Sequence, residues 1–144
     1  MKRYITHVRK DNKDNIIAVK GKRSIANCYV NIALVFFEQG ESVKAIEYDQ
    51  KALVIYNELG DKSGISNTYN NIGTIYNEIG SLYRSKGNTF ESNRNFSIAI
   101  DYFQKSLKLK EELGNKKGVC SCYNNIGGIF GKQFNYKKAI EYFQ

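Results

Sequence analysis

Cys28-Tyr29-Val30-Asn31-Ile32-Ala33, Thr68-Tyr69-Asn70-Asn71-Ile72-Gly73 and Cys122-Tyr123-Asn124-Asn125-Ile126-Gly127 are three versions of one phrase. A second phrase follows each copy: Lys44-Ala45-Ile46-Glu47-Tyr48, Ile98-Ala99-Ile100-Asp101-Tyr102 and Lys138-Ala139-Ile140-Glu141-Tyr142. A third closes the first two copies, as Glu58-Leu59-Gly60-Asp61-Lys62 and Glu112-Leu113-Gly114-Asn115-Lys116. Self-similarity over tens of residues marks a repeat array, and it decides the fold before local propensity does.

The phrases have helical spacing. Ile25, Tyr29, Ile32, Ala33 and Phe36 fall at intervals of three and four, as do Ile65, Tyr69, Ile72, Gly73 and Tyr76, which puts each set on one face of a helix. Ala45, Tyr48, Ala52 and Ile55 do the same in the second phrase. Each unit is therefore two amphipathic helices, A then B, joined by short polar turns such as Gln39-Gly40-Glu41-Ser42. The small residue after the isoleucine (Ala33, Gly73 or Gly127) is expected to admit a helix B alanine (Ala45, Ala99 or Ala139) at close range. A larger side chain at either place would cost about 1–3 kcal/mol by overpacking.

An aromatic, an Ile-Gly or Ile-Ala pair and a second aromatic on helix A, then alanine and aromatic positions on helix B, resemble the tetratricopeptide repeat from about Ser24 to Gln144. Tyr29 and Tyr69 stand 40 residues apart, more than the roughly 34 of the basic repeat. The longer variety, found in kinesin light chain and spindle-orientation adaptors, is the nearer likeness. The absence of proline agrees, because Leu-Gly-Asp or Leu-Gly-Asn stops helix B with a C-terminal glycine instead. The resemblance implies an all-α fold, a right-handed superhelical array of antiparallel helix pairs (an α-solenoid) whose A helices line a concave groove.

Three departures stand out. Asp49 occupies the place of Phe103 and Phe143; a buried unpaired carboxylate is costly, so it is expected at a solvated or frayed edge, or beside a basic residue, with contact to a ligand as the functional alternative. Tyr69 and Tyr123 are 54 apart, an excess of 14 that lies between Gly80 and Ala99. Fourteen residues are close to four helical turns, so two turns added to each helix would keep both in phase and make the hairpin protrude by roughly 10 Å. Ile79 and Tyr83 continue the helix A stripe, Gly87-Asn88 supplies a turn and Phe96 leads into helix B; the competing arrangement is a surface loop over Ser92 to Asn95. Finally, the chain stops at Gln144 within the third helix B. It is expected to be a piece of a longer array whose bare last repeat frays or self-associates. The organisation expected is a basic, partly flexible segment 1–23 and a repeat domain 24–144, with repeats at about 24–63, 64–117 and an incomplete 118–144.

Composition narrows the function. With 144 residues and 42% hydrophobic content the chain can bury a core. Its most apolar stretch, Cys28 to Phe37, is far short of the roughly 18 residues a membrane span needs, and Met1 to Lys10 lacks the apolar segment of a signal peptide. Three cysteines without a C-x-x-C pair fit a reducing compartment, so a cytoplasmic location is expected. Cys120 and Cys122 sit about 200° apart around a helix, cannot share a metal, and are expected in the core. Of the net charge of +8, residues 1–23 carry +6, through Lys2, Arg3, Arg9, Lys10, Lys13, Lys20, Lys22 and Arg23 against Asp11 and Asp14. A basic end on a near-neutral body fits a solubilising segment; contact with nucleic acid through it is the alternative function. The one histidine, His7, lies in that segment, and no nucleophile, base or metal cluster is evident. No catalytic residue, cofactor or metal is assigned.

A binding surface is legible. The helix A face turned away from helix B carries Asn27, Val30, Asn31, Leu34 and Phe37 in the first copy, and Asn67, Asn70, Asn71, Thr74 and Asn77 in the second. The third offers Ser121, Asn124, Asn125, Gly128 and Gly131, and Glu38, Glu78 and Lys132 mark the edge. Such a floor, apolar at one end and amide-rich further on, suits a module that holds a peptide or partner helix. Asn31, Asn71 and Asn125 recur in one place, and an asparagine can pair with a peptide group's N–H and C=O together. Kinesin light chain has a similar amide ladder; the other arrangement open to these residues is bonding between repeats. Val30, Leu34 and Phe37 make the first helix apolar nearly all round, which demands cover, and Ile16-Ile17-Ala18-Val19 is the nearest candidate.

Overall fold

A computed structural model of the chain describes the backbone of residues 2–144 and the side chains of residues 15–144. The described residues form six helices: α1 (Lys2–Glu38), α2 (Ser42–Glu58), α3 (Lys62–Ser85), α4 (Thr89–Glu112), α5 (Lys116–Lys132) and α6 (Tyr136–Phe143). Each packs on the next in the chain. Connections this short make neighbours antiparallel, so three pairs, α1–α2, α3–α4 and α5–α6, stack into an all-α solenoid.

The turns repeat one device. Gly40, Gly60, Gly87 and Gly114 take positive φ of 77°, 61°, 75° and 65°, the left-handed conformation a glycine enters without a Cβ penalty. The residue after Gly60, Gly87 and Gly114 caps the following helix: Asp61, Asn88 and Asn115, like Asn135 in the last turn, accept from the backbone N–H three positions on, at 3.0, 3.1, 2.9 and 3.2 Å, whereas Glu41 after Gly40 makes no such bond. That bond satisfies a donor the first helical turn leaves unpaired. Phe134, at φ 60°, replaces the glycine in the last turn, and the Arg84 guanidinium lies 4.4 Å from its ring centroid.

Inside each pair a helix B tyrosine lies between two helix A rings. Tyr48 meets Tyr29 and Phe36 at 5.9 and 5.4 Å, Tyr102 meets Tyr69 and Tyr76 at 5.9 Å each, and Tyr142 meets Tyr123 and Phe130 at 6.1 and 5.4 Å. The close approach of the helices is set differently from the sequence expectation. A Cβ built on Gly73 would come within 2.9 Å of Phe103, and one on Gly127 within 2.7 Å of Phe143. The small residue thus receives a phenylalanine ring, one turn beyond the alanine expected there.

The excess residues of the second pair are helical. α3 and α4 have 24 residues each, against 17 in α2 and in α5, so each gains two turns and the surface-loop arrangement over 92–95 does not occur. Phe96, fully buried, sits against Gly80, whose Cβ would approach it within 2.7 Å. Gly80 and Phe96 each lie seven residues from Gly73 and Phe103, so the extension repeats the same contact two turns further out. Ser92 and Asn95 are buried beside it, and Asn95 returns its amide to the Glu91 carbonyl at 2.8 Å.

Two expectations about the N-terminal part change. α1 runs without a break across residues 23 and 24, so Ile16, Ile17 and Val19 belong to the helix they were expected to cover and lie exposed along it. A segment continuous with a helix cannot fold back on that helix's own face. Of the basic residues in this part, Lys22 pairs with Glu58 and Arg23 with Asp61, both at 2.9 Å. Lys2, Arg3, Arg9, Lys10 and Lys13, with His7, lie outside the described side chains. Cys120 is exposed and Cys122 buried; two positions along a helix cannot both face the core, so only one of the pair does.

Neighbouring glycines of α5 make the packing testable. A Cβ at Gly127 meets the Phe143 ring, whereas at Gly128 or Gly131 it meets nothing within 4 Å. Gly128→Ala and Gly131→Ala should each stabilise by about 0.5–1 kcal/mol through backbone entropy. Gly127→Ala should instead destabilise by about 1–3 kcal/mol. Thermal unfolding of the three variants checks this, and equal effects at 127 and 128 would contradict the ring-on-glycine contact.

Candidate functional site

The sequence-designated faces of α1 and α3 turn towards each other and leave two adjoining cavities between the first and second helix pairs. The larger, about 610 Å³, is lined by Arg23, Asn27, Val30 and Asn31 of α1, Tyr56 and Asp61, and Ser63, Gly64, Asn67 and Thr68 of α3. Its wall is polar and already partly organised. The Tyr56 hydroxyl donates to Asn27 Oδ1 at 2.6 Å, and the Arg23 Nε lies 2.9 Å from Asp61 Oδ2. Burial, helped by the Asp61 charge, raises the Tyr56 phenol above its usual range, which keeps it a donor to Asn27.

The smaller cavity, about 100 Å³, lies under Leu34 and Phe37 and is completed by Ala33, Asp49, Asn71, Thr74 and Ile75. Asp49 was expected at a solvated edge or beside a basic residue; instead it is 1% exposed and its Oδ1 has no hydrogen-bond partner among the described residues. Its helical position explains this. Ala45, Asp49, Ala52 and Tyr56 form the buried stripe of α2 at intervals of three and four, so position 49 faces inwards whatever residue stands there. Burial raises the Asp49 carboxyl from 3.8 to about 7, and hydrogen bonding from the Asn71 side chain pulls in the opposite direction. Where Phe103 and Phe143 fill the space above a glycine, Asp49 leaves it open above Ala33.

The third pair meets the second through direct side-chain bonds. Asn125 donates to Asn70 Oδ1 at 3.3 Å, and the Lys132 ammonium bonds Asn77 Oδ1 at 3.0 Å and Ser81 Oγ at 2.9 Å. Burial lowers the pKa of Lys132, partly offset by the Glu78 charge. Deeper in, the Ser106 hydroxyl donates to the Ser66 carbonyl at 2.7 Å and lies 3.6 Å from Cys122 Sγ, linking α3, α4 and α5.

The candidate residues therefore separate. Asn27, Val30, Asn31 and Asn67 line the larger cavity; Leu34, Phe37 and Asn71 line the smaller. Asn70 and Asn125 bond each other, and Asn124 is exposed. Asn31, Asn71 and Asn125 share a sequence position but have three environments: open groove, a buried carboxylate and a neighbouring amide. Tyr56 and Arg23 were missed as part of this surface, because Tyr56 belongs to helix B and Arg23 precedes the designated face on α1. Among the described residues no three His, Cys, Asp or Glu side chains group as metal ligands, and no helix is long and apolar enough to cross a membrane.

Asp49 gives stability a pH dependence of definite sign. Between pH 3.8 and about 7 the folded carboxyl keeps a proton that the unfolded chain has lost. Stability therefore falls as pH rises through that window, and the whole cost, roughly 4 kcal/mol at most, is present above it. Asp49→Asn should raise the melting temperature more at pH 8 than at pH 5, and an equal change at both would contradict a buried titrating group. Asp49→Phe alone should cost about 1–3 kcal/mol, because its ring meets the Ala33 methyl. Adding Ala33→Gly should recover stability, although glycine in a helix ordinarily costs about 0.5–1 kcal/mol.

The match to a family model agrees with this architecture. A comparison with curated proteins returns no match. Among solved structures the chain is similar to the crystal structure of MamA, with 16% identity over 94% of this chain and 88% of that one, at a TM-score of 0.28. The family model described as tetratricopeptide repeat matches residues 24–83 and again 78–144. Together these spans cover every helix pair, and the chain belongs to the tetratricopeptide repeat family.

Proposed function

We propose that the chain is a protein-interaction module that holds an extended peptide or partner helix in the groove between α1 and α3. Tetratricopeptide repeats generally serve protein–protein interaction. The observation that carries the finer reading is the pair of adjoining cavities at the first junction, where unpaired amides and an apolar rim lie side by side. The larger cavity supplies Asn31 and Asn67, whose side chains are exposed and make no protein hydrogen bond among those described. The exposed Leu34 and half-buried Phe37 then offer apolar area to a partner side chain. Asn125 has a different task in this reading, since its amide is spent on Asn70.

A peptide selected by display against the full chain tests this. Asn31→Ala and Asn67→Ala should each weaken its binding several-fold, as expected for one or two lost bonds of about 0.5–1.5 kcal/mol, without lowering the melting temperature. Asn125→Ala should lower the melting temperature and leave affinity nearly unchanged. Affinity indifferent to both Asn31 and Asn67 would remove the groove from the mechanism.

A further inference from the structure

We propose that the cavity beneath Leu34 and Phe37 is a pocket for one lysine side chain of the partner, its ammonium meeting the free Oδ1 of Asp49. This rests on the groove reading and names what the groove selects. The floor is buried Ala33, Asp49 and Ile75; Leu34 and Phe37 form the rim. A water needs roughly 10–15 Å³ of such space, so about 100 Å³ is too large for one water and fits a short alkyl chain with a polar tip.

The acceptors decide the tip. Asp49 Oδ1 is buried and unpartnered. Thr74 has committed its hydroxyl proton to the Asn70 carbonyl at 2.9 Å, which leaves its oxygen as an acceptor. The Asn71 side chain lines the same cavity, and its amide has a carbonyl oxygen able to accept. An ammonium brings three donors to this set of acceptors and carries the charge that a buried carboxylate lacks. A guanidinium recognises a carboxylate by a two-oxygen fork, and here Asn71 already competes for the carboxylate. The alkyl stem of a lysine matches the apolar rim. No lining residue from α1 or α3 is titratable, and on α2 the Tyr56 phenol is the group electrostatically linked to Asp49. The ammonium should therefore bind the ionised carboxylate, and its affinity should follow the ionisation of Asp49.

The test uses the full chain and n-butylammonium chloride as the probe, followed by amide chemical shifts. At pH 8 the expected result is saturable shifts at Ala33, Asn71, Thr74 and Ile75. With Asp49 titrating at about 7, apparent affinity should fall about ten-fold at pH 6, where the probe itself keeps its charge. Neutral n-butanol should bind more weakly at pH 8, and Asp49→Asn, which preserves shape, should abolish the difference between the two probes. Equal binding of butanol and butylammonium to the unaltered chain, butylammonium that still binds more tightly than butanol in Asp49→Asn, or no saturation at pH 8 would each overturn the lysine pocket. The display peptide separates the two ideas: if it still depends on Asn31 and Asn67 while butylammonium fails, the pocket falls and the groove stands.

Discussion

A phenylalanine ring seated on a glycine backbone is the contact on which the rest of this solenoid depends. At Gly73–Phe103, Gly80–Phe96 and Gly127–Phe143 the ring occupies the volume where a Cβ would stand, so the two helices of a pair approach as closely as backbone permits. Dispersion at that range is gained only if both partners keep their size, since interiors are packed as densely as organic crystals. The tyrosine held between two helix A rings then fixes the helices' rotation about their axes. Repeating the glycine–ring contact seven residues further out is what lets the second hairpin extend by two turns without changing its packing.

The first pair is the exception, and the exception leaves a cavity. With Asp49 and Ala33 in place of a phenylalanine and a glycine, ring volume is removed and only a methyl is returned. The residual space has a buried carboxylate in its floor. Such a group is destabilising when charged, and the fold tolerates it because the buried stripe of α2 is set by Ala45, Ala52 and Tyr56 on either side. The cost at one position is carried by the packing of its neighbours.

The sequence carried the helix pairs, the extended hairpin and the groove face of α1 because each is a matter of spacing. Helical periodicity assigns residues to faces, and a 14-residue excess either preserves phase or does not. What it did not carry was the relation between faces. Asn31 and Asn125 are indistinguishable by position, yet Asn125 faces the Asn70 amide while Asn31 faces a groove. Only the lateral distance between A helices separates them. Asp49 departs from its expected place for a related reason: the cost of burying a carboxylate concerns position 49 alone, whereas the buried stripe Ala45, Ala52 and Tyr56 of α2 leaves that residue no other direction.

The two junctions consequently differ in kind. Between the second and third pairs, Ser106 joins three helices where the first pair has Ala52, and Lys132 spans to Asn77 and Ser81 in a half-buried setting. Satisfied polar networks of this sort resist sliding, because each partner shifted loses a bond it cannot replace with water. Between the first and second pairs Arg23 reaches Asp61 at the start of α3, Tyr56–Asn27 ties α1 to α2 within the first pair, and the larger cavity is lined by all four residues. An apolar contact such as Leu34 or Phe37 tolerates small displacements that a hydrogen-bond network does not. The junction of the first two pairs is thus the more open of the two, and the second and third pairs are joined by the denser polar network.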